Sequence, residues 1–424
     1  MTSFDLIAIL LTLAAILGCV NYFVFRLPST IGLMAGALIV SVVVLAIDRF
    51  YPTLNLRERW QAVVAITDLP HVFLDGVLAF MLFAGALHVD MQALRDNKWA
   101  VLALATFGTL LSTALLGGGM AWALGGALPL TWCIVLASIL APTDPIAVAG
   151  LLQRVGLPSG LQAIIAGESL FNDGVAVVVF SLALSVAGGH SVSATDVAVQ
   201  FLEEAVGGVL LGLVTGYLAY RLMRLIDEYR LELTISLALV TGTYSLAHQI
   251  GVSGPISVVV TGLLIGHRAR RHAWSEQTQM QVNTFWSLVD ELLNAVLFLL
   301  LGFALLSVEA DRPGLTAAAI GVGLAVVVRM ISVSVPVAFL HLRRMQKARG
   351  IVVLTWGGLR GGISVALALS LPPSPWRREI LTVVYAVVVF TILIQGLSIP
   401  WLVRRLYGKG GGSDQAGHEH GQQA

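Results

Sequence analysis

Apolar runs of about 20 residues, repeated almost from end to end, constrain this 424-residue chain more than any motif it carries. A helix of that length spans the hydrocarbon region of a bilayer. Composition agrees. Charged residues make up 12% and hydrophobic residues 57%, whereas soluble domains carry about 25% charged residues. No single water-soluble core of this length hides that much apolar surface. The alternating ten-residue strands of an outer-membrane barrel are absent from the sequence. The chain therefore reads as an all-α membrane protein.

Between charged or Gly/Pro-rich breaks we count about thirteen runs, near 4–25, 29–47, 71–89, 99–124, 128–152, 160–187, 197–225, 231–250, 252–266, 282–308, 314–340, 350–371 and 379–403. The first is too long for a signal-peptide core and lacks a preceding basic residue, so it reads as a retained span. The ninth is short, and its start at Gly254-Pro255 is the weakest boundary. Basic residues set the orientation, because short cytoplasmic loops are enriched in Lys and Arg. One set of loops, with the C-terminal end, carries 17 and the other set 6. That split places the N-terminus outside and the C-terminus in the cytoplasm, and favours an odd number of spans. Residues 406–424 are Gly-rich and polar and should form a disordered tail. His418 and His420 there read as solvated.

Several function classes drop out. A net charge of +1 gives no sign of a nucleic-acid partner. No P-loop pattern is present, so ATP is not the energy source. Cys19 and Cys133 lie in apolar runs without partner spacing, as packing residues do. No cofactor is expected.

Ionisable residues inside apolar runs are informative, since a charge near the bilayer centre costs about 2.5–3.5 kcal/mol even on the mildest scale. In the fifth run Pro142 and Pro145 bracket Thr143-Asp144. Each proline removes a backbone donor and disfavours helix before it, so the helix should break there. Broken helices at membrane depth expose carbonyls and helix ends that hold ions. The plainer reading is a kink with Asp144 capping the second half-helix; Asp144 could do both. In the sixth run, Ser169 and Asp173 are four residues apart and share a face, with Glu168 and Asn172 on a stripe beside it. We expect Asp173 and Ser169 to meet the Asp144 break and Glu168 to meet a cation elsewhere.

Arg360 is one candidate for that cation. Gly357, Gly358, Gly361 and Gly362 surround it, so the twelfth run should also be interrupted. Runs five and twelve are an odd number of spans apart, as inverted repeats require. Arg329 in the eleventh run is a second buried cation. Between neutralising Arg360 and binding an ion, we favour neutralisation for Glu168. Asp290, Glu291 and Asn294 begin the long apolar part of the tenth run, lining a cytoplasmic funnel or forming a solvated helix end. The glycines at 117–119 and at 207, 208 and 212 read as close helix packing.

The segments APTDP (141–145), GESLFNDG (167–174), FWSLVDELLNAVLFLLLG (285–302) and WGGLRGGISVALALSLP (356–372) resemble the NhaP-type sodium/proton antiporters, relatives of the animal sodium/proton exchangers. The likeness runs over residues 4–405. It implies thirteen spans, an inverted repeat with two interrupted crossing helices (runs five and twelve) and a homodimer in the inner membrane. A core of residues 98–196 and 311–405 would move against an interface domain of residues 1–97 and 197–310. The resemblance makes Asp173 the principal ion- and proton-binding carboxylate. Asp144, Ser169 and the Thr143 carbonyl would complete the shell for Na+, and Glu168 would pair with Arg360. One departure is Ala84, where several relatives carry a glutamate. The implied activity is exchange of a monovalent cation, Na+ and also Li+, for a proton, electroneutral because Asn172-Asp173 offers one exchanging carboxylate. Potassium/proton exchange is the alternative on the same scaffold. An intramembrane aspartyl protease would need a Gly-x-Gly-Asp type site, which Pro-Thr-Asp-Pro does not supply.

Overall fold

A computed structural model describes residues 3–58, 60, 76–144, 157–189, 194–307, 312–339 and 344–407, and among these every regular element is helical. Pro145 with the rest of the fifth run, the start of the third run and the C-terminal tail lie outside the described residues. The helices are α1 (Ser3–Val20), α2 (Ser29–Phe50), α3 (Leu78–His88), α4 (Lys98–Ala123), α5 (Leu130–Ile139), α6 (Ser159–Ala187) and α7 (Ala194–Met223). They continue as α8 (Tyr229–Ile250), α9 (Gly254–His272), α10 (Glu276–Phe303), α11 (Arg312–Phe339), α12 (Arg344–Trp356), α13 (Gly362–Leu369) and α14 (Arg377–Tyr407). Among the described residues eight helices are long and apolar enough to cross a membrane.

The uncertain ninth boundary has a clear physical origin. α9 starts at Gly254, with Pro255 in its first turn and the Ser253 hydroxyl accepting from the Ile256 N–H. Proline suits a first turn because its missing donor would be unpaired there anyway. The helix continues to His272, beyond the expected end at 266, because its last turn carries a basic run that leaves the apolar pattern without breaking the helix.

Outer helices show bilayer-facing chemistry. On α7, Val206, Leu210, Leu213 and Leu218 are exposed, which only lipid or another apolar surface makes favourable. Its opposite face packs on α9, where a Cβ at Gly212 would overlap the main chain of Ser257. The glycine therefore permits the two backbones to approach, as the sequence suggested. The chain is a multi-pass membrane protein.

Two non-helical stretches organise the interior. α5 stops at Ile139, and residues 142–144 are not helical. α12 ends at Trp356 and α13 begins at Gly362, leaving residues 358–361 non-helical between them. Two π-helical turns lie nearby, Leu104–Gly108 within α4 and Thr391–Gly396 within α14. Such turns expose backbone groups that a regular helix satisfies internally.

Candidate functional site

The two non-helical stretches meet. The Asp144 N–H donates to the Leu359 carbonyl at 2.8 Å, tying the break after α5 to the break before α13. Arg360 strengthens the join. Its Nη1 donates to the carbonyls of Ala141 (2.6 Å) and Pro142 (3.0 Å), and its own N–H donates to Thr391 Oγ1 (3.1 Å) on the π turn of α14. A helix C-terminus presents unsatisfied carbonyls with partial negative charge. The buried Arg360 guanidinium sets a positive charge just beyond the end of α5 and satisfies two main-chain carbonyls of the stretch that follows. Close approach demands glycine here: a Cβ on Gly361 would collide with the Asp144 carboxylate, and one on Gly358 with the Arg329 side chain.

Thr143 is the hinge of the polar cluster. Its hydroxyl shares a hydrogen bond with Ser169 Oγ (3.0 Å) and accepts from Asn172 Nδ2 (2.8 Å). Its N–H points to Asn172 Oδ1 at 3.4 Å. Ser169 and Asn172, three residues and so just under one turn apart on α6, thus both serve the break. This differs from the expected division of α6, in which Asn172 went with Glu168.

Glu168 has a different partner from the one expected. Arg329 on α11, not Arg360, forms the ion pair, with Nη1 on Oε1 and Nη2 on Oε2 at 3.0 Å. Arg329 Nη2 also reaches the Leu354 carbonyl at 3.2 Å, so α6, α11 and α12 are knitted together. The side-chain stripe correctly demanded a buried cation. It could not choose between two arginines, and Arg360 is committed to the Ala141 and Pro142 carbonyls.

Asp144 and Asp173 face one cavity of about 600 Å³. Asp173 is buried, and its Oδ1 has no hydrogen-bond partner among the described residues. From Gln162 in the first turn of α6, the lining runs through Ala166 and Leu170 to Asp173. The eleven helical steps from Gln162 to Asp173 rise about 16 Å along the axis of α6. At the cavity's mouth stand Gln162, His88 and Asp90. Asp290, left open between funnel and helix end, lines this cavity and accepts from Asn294 Nδ2 at 3.1 Å. Ala84 is fully buried and turned away from the cavity, which Met81, Gly85 and His88 line instead.

Sequence reasoning missed His88. Its Nδ1 lies 2.7 Å from the Ala84 carbonyl and so carries the hydrogen, leaving Nε2 to meet Ser287 Oγ at 3.1 Å. A histidine ending an apolar helix was the available signal, but nothing pointed to Ser287 some 200 residues away. Thr391 was missed for the same reason.

Residues 8–405 match the family described as "Sodium/hydrogen exchanger, transmembrane". Over 414 residues the chain is 44% identical to the Na(+)/H(+) antiporter NhaP of Pseudomonas aeruginosa, covering 95% of this chain and 97% of that protein. It is 33% identical over 387 residues to the Na(+)/H(+) antiporter NhaH of Halobacillus aidingensis, covering 89% and 92%. Its fold is similar to that of the sodium proton antiporter MjNhaP1 from Methanocaldococcus jannaschii at pH 8, with a TM-score of 0.74 at 18% identity over 95% of this chain and 98% of the other.

Proposed function

The chain belongs to the sodium/hydrogen exchanger family and is a Na+/H+ antiporter of the NhaP type, and from that premise we propose that Asp173 is the carboxylate for which sodium and protons compete. The observation that carries this reading is geometric. Asp173 and Asp144 share the floor of the cavity where the two interrupted segments meet, and Asp173 keeps an unpartnered buried oxygen. Asp144, Ser169 and the Thr143 carbonyl complete the cation's oxygen shell, which suits a small hard cation. Glu168, Asn172, Arg329 and Arg360 hold that shell without binding the ion.

Competition makes exchange obligatory. A bare carboxylate moving past an apolar barrier is costly, so the site crosses when a proton or a desolvated cation neutralises it. One exchanging carboxylate, beside an uncharged Asn172, gives electroneutral one-for-one exchange. Residues 98–196 and 311–405 form the moving core. Residues 1–97 and 197–310 form the interface of a homodimer in the inner membrane. The asymmetry of basic loops puts the C-terminus in the cytoplasm, so the mouth at His88, Asp90 and Gln162 opens inward.

Reconstituted exchange measured with sodium, lithium and potassium across pH tests the reading. Wild type should exchange sodium at a rate indifferent to imposed voltage, and Asp173→Asn should lose exchange while still purifying as a folded dimer. Exchange retained by Asp173→Asn would remove the carboxylate from its role. Potassium exchange in place of sodium would move the protein to the alternative specificity, and Li+ serves as the smaller-cation control.

A further inference from the structure

The wall of the cavity carries more charge than its floor requires. Four carboxylates line it, Asp90, Asp144, Asp173 and Asp290, and no lysine or arginine lines it among the described residues. Asp90 has a structural task at the rim: it accepts from the N–H groups of Gln92 (2.8 Å) and Ala93 (3.3 Å), capping the short helix Met91–Asp96. Asp290 caps nothing. It sits mid-helix on α10, where Asn294 donates both to its Oδ1 (3.1 Å) and to its carbonyl (2.8 Å), so the amide holds the carboxylate in place.

Its height in the funnel follows from helix geometry. Leu297, seven residues further along α10, fills the space that a Cβ on Gly362 would need, next to Gly361 and Asp144. Seven residues rise about 10 Å. Asp290 therefore stands between mouth and floor, too far away to coordinate the ion held by Asp144 and Asp173. A fixed charge in a cleft with apolar walls still acts at that range, because the walls focus its field. At about 10 Å and an effective dielectric near 20, it changes cation occupancy on the order of tenfold.

We infer that Asp290 is an access residue, a wall carboxylate that concentrates the incoming cation and sets its apparent affinity from the side to which this cavity opens. The inference rests on the proposed sodium/proton exchange and adds a residue outside the binding shell. When the core faces the other way, the cation reaches Asp144 and Asp173 by another route and Asp290 does not act on it.

Sidedness supplies the test. Sodium KM and maximal rate are measured in everted and in right-side-out membrane vesicles for wild type, Asp290→Asn and Asp290→Glu. The isosteric Asn keeps an oxygen for Asn294, so folding should survive. Asp290→Asn should raise the sodium KM on the order of tenfold in everted vesicles only, with maximal rate within about twofold of wild type, and Asp290→Glu should restore the KM. An unchanged KM, an equal change from both sides, or a loss of maximal rate alone would overturn the inference. Failure of both variants to accumulate would assign Asp290 to folding and overturn it as well. Wild type in the same vesicles separates the two claims, since absent sodium exchange strikes the proposed function while an unshifted Asp290→Asn strikes only Asp290.

Discussion

Arg329 meets Glu168 fork to fork inside the protein, two guanidinium nitrogens against two carboxylate oxygens, with Leu354 accepting a further hydrogen bond. Paired charges of this kind are nearly neutral for stability as a unit, yet removal of one partner leaves an uncompensated buried charge. Arg329→Ala should therefore destabilise the protein by about 3–5 kcal/mol, read as loss of the folded, monodisperse peak on heating in detergent. Glu168→Gln should cost less, because the amide still accepts from one nitrogen. The double variant Arg329→Met/Glu168→Met should recover much of the loss. A Glu168→Gln protein that is fully stable yet inactive would instead place Glu168 in the ion shell.

Arg360, the more deeply buried of the two arginines, should behave differently. Its guanidinium serves the Ala141 and Pro142 carbonyls, so Arg360→Ala leaves two buried acceptors unpaired at about 1–3 kcal/mol each. A double-mutant cycle distinguishes the two arginines. Coupling to Glu168 should be large for Arg329 and much smaller for Arg360, since only contacting pairs depart strongly from additivity. Comparable coupling energies would contradict the observed pairing.

These two arginines mark the limit of what the chain discloses before it folds. Asp144, Glu168 and Asp173 were legible because charges in apolar runs are costly. The end of α5 and the non-helical stretch at 358–361 were legible because Pro142 and the glycines around Arg360 disfavour continuous helix. Helical periodicity gives the direction of a side chain around its own axis, so it showed that Glu168 needed a cation. It does not say which helix lies across from that face, and Arg329 and Arg360 were equal candidates on that count. The bond between His88 and Ser287, and that between the Arg360 N–H and Thr391, join elements distant in sequence and have no local signature. Ala84 shows the same limit from the other side: the family resemblance locates the missing acid, whereas the helix rotation that turns Gly85 and Met81 to the cavity belongs to packing.

Gly361 gives a sharper probe of the site than removal of a charge. A methyl group there would occupy the space of the Asp144 carboxylate, so Gly361→Ala must displace that side chain. Displacing a positioned group by about 1 Å costs on the order of a hundredfold in rate, and exchange should fall by at least that much. Gly85→Ala is the matched control on the same cavity. Its added Cβ would come no nearer than 3.7 Å, to Leu170 Cδ1, an ordinary contact. It should retain exchange and gain up to about 1 kcal/mol from helix propensity. Equal losses in the two variants would show that the cavity tolerates no added volume anywhere, and the specific role of the Gly361–Asp144 approach would fall.

Competition at one carboxylate has a kinetic signature independent of any substitution. If proton and sodium exclude each other at Asp173, each weakens the other's binding by the same factor, as linkage requires. On the acid side of the site's titration the sodium KM should then rise about tenfold for each unit fall in pH. The maximal rate at saturating sodium should hold, because enough cation displaces the proton completely. At alkaline pH the KM should level off at the intrinsic sodium affinity, while turnover falls for want of protons to return the empty site. The measurement is sodium-driven proton movement in proteoliposomes over a pH series, with sodium titrated at each pH. A second exchanging carboxylate would steepen the acid limb towards a hundredfold per unit, and a remote pH sensor would reduce the maximal rate at constant KM. The pH dependence therefore distinguishes one shared site at Asp173 from either arrangement.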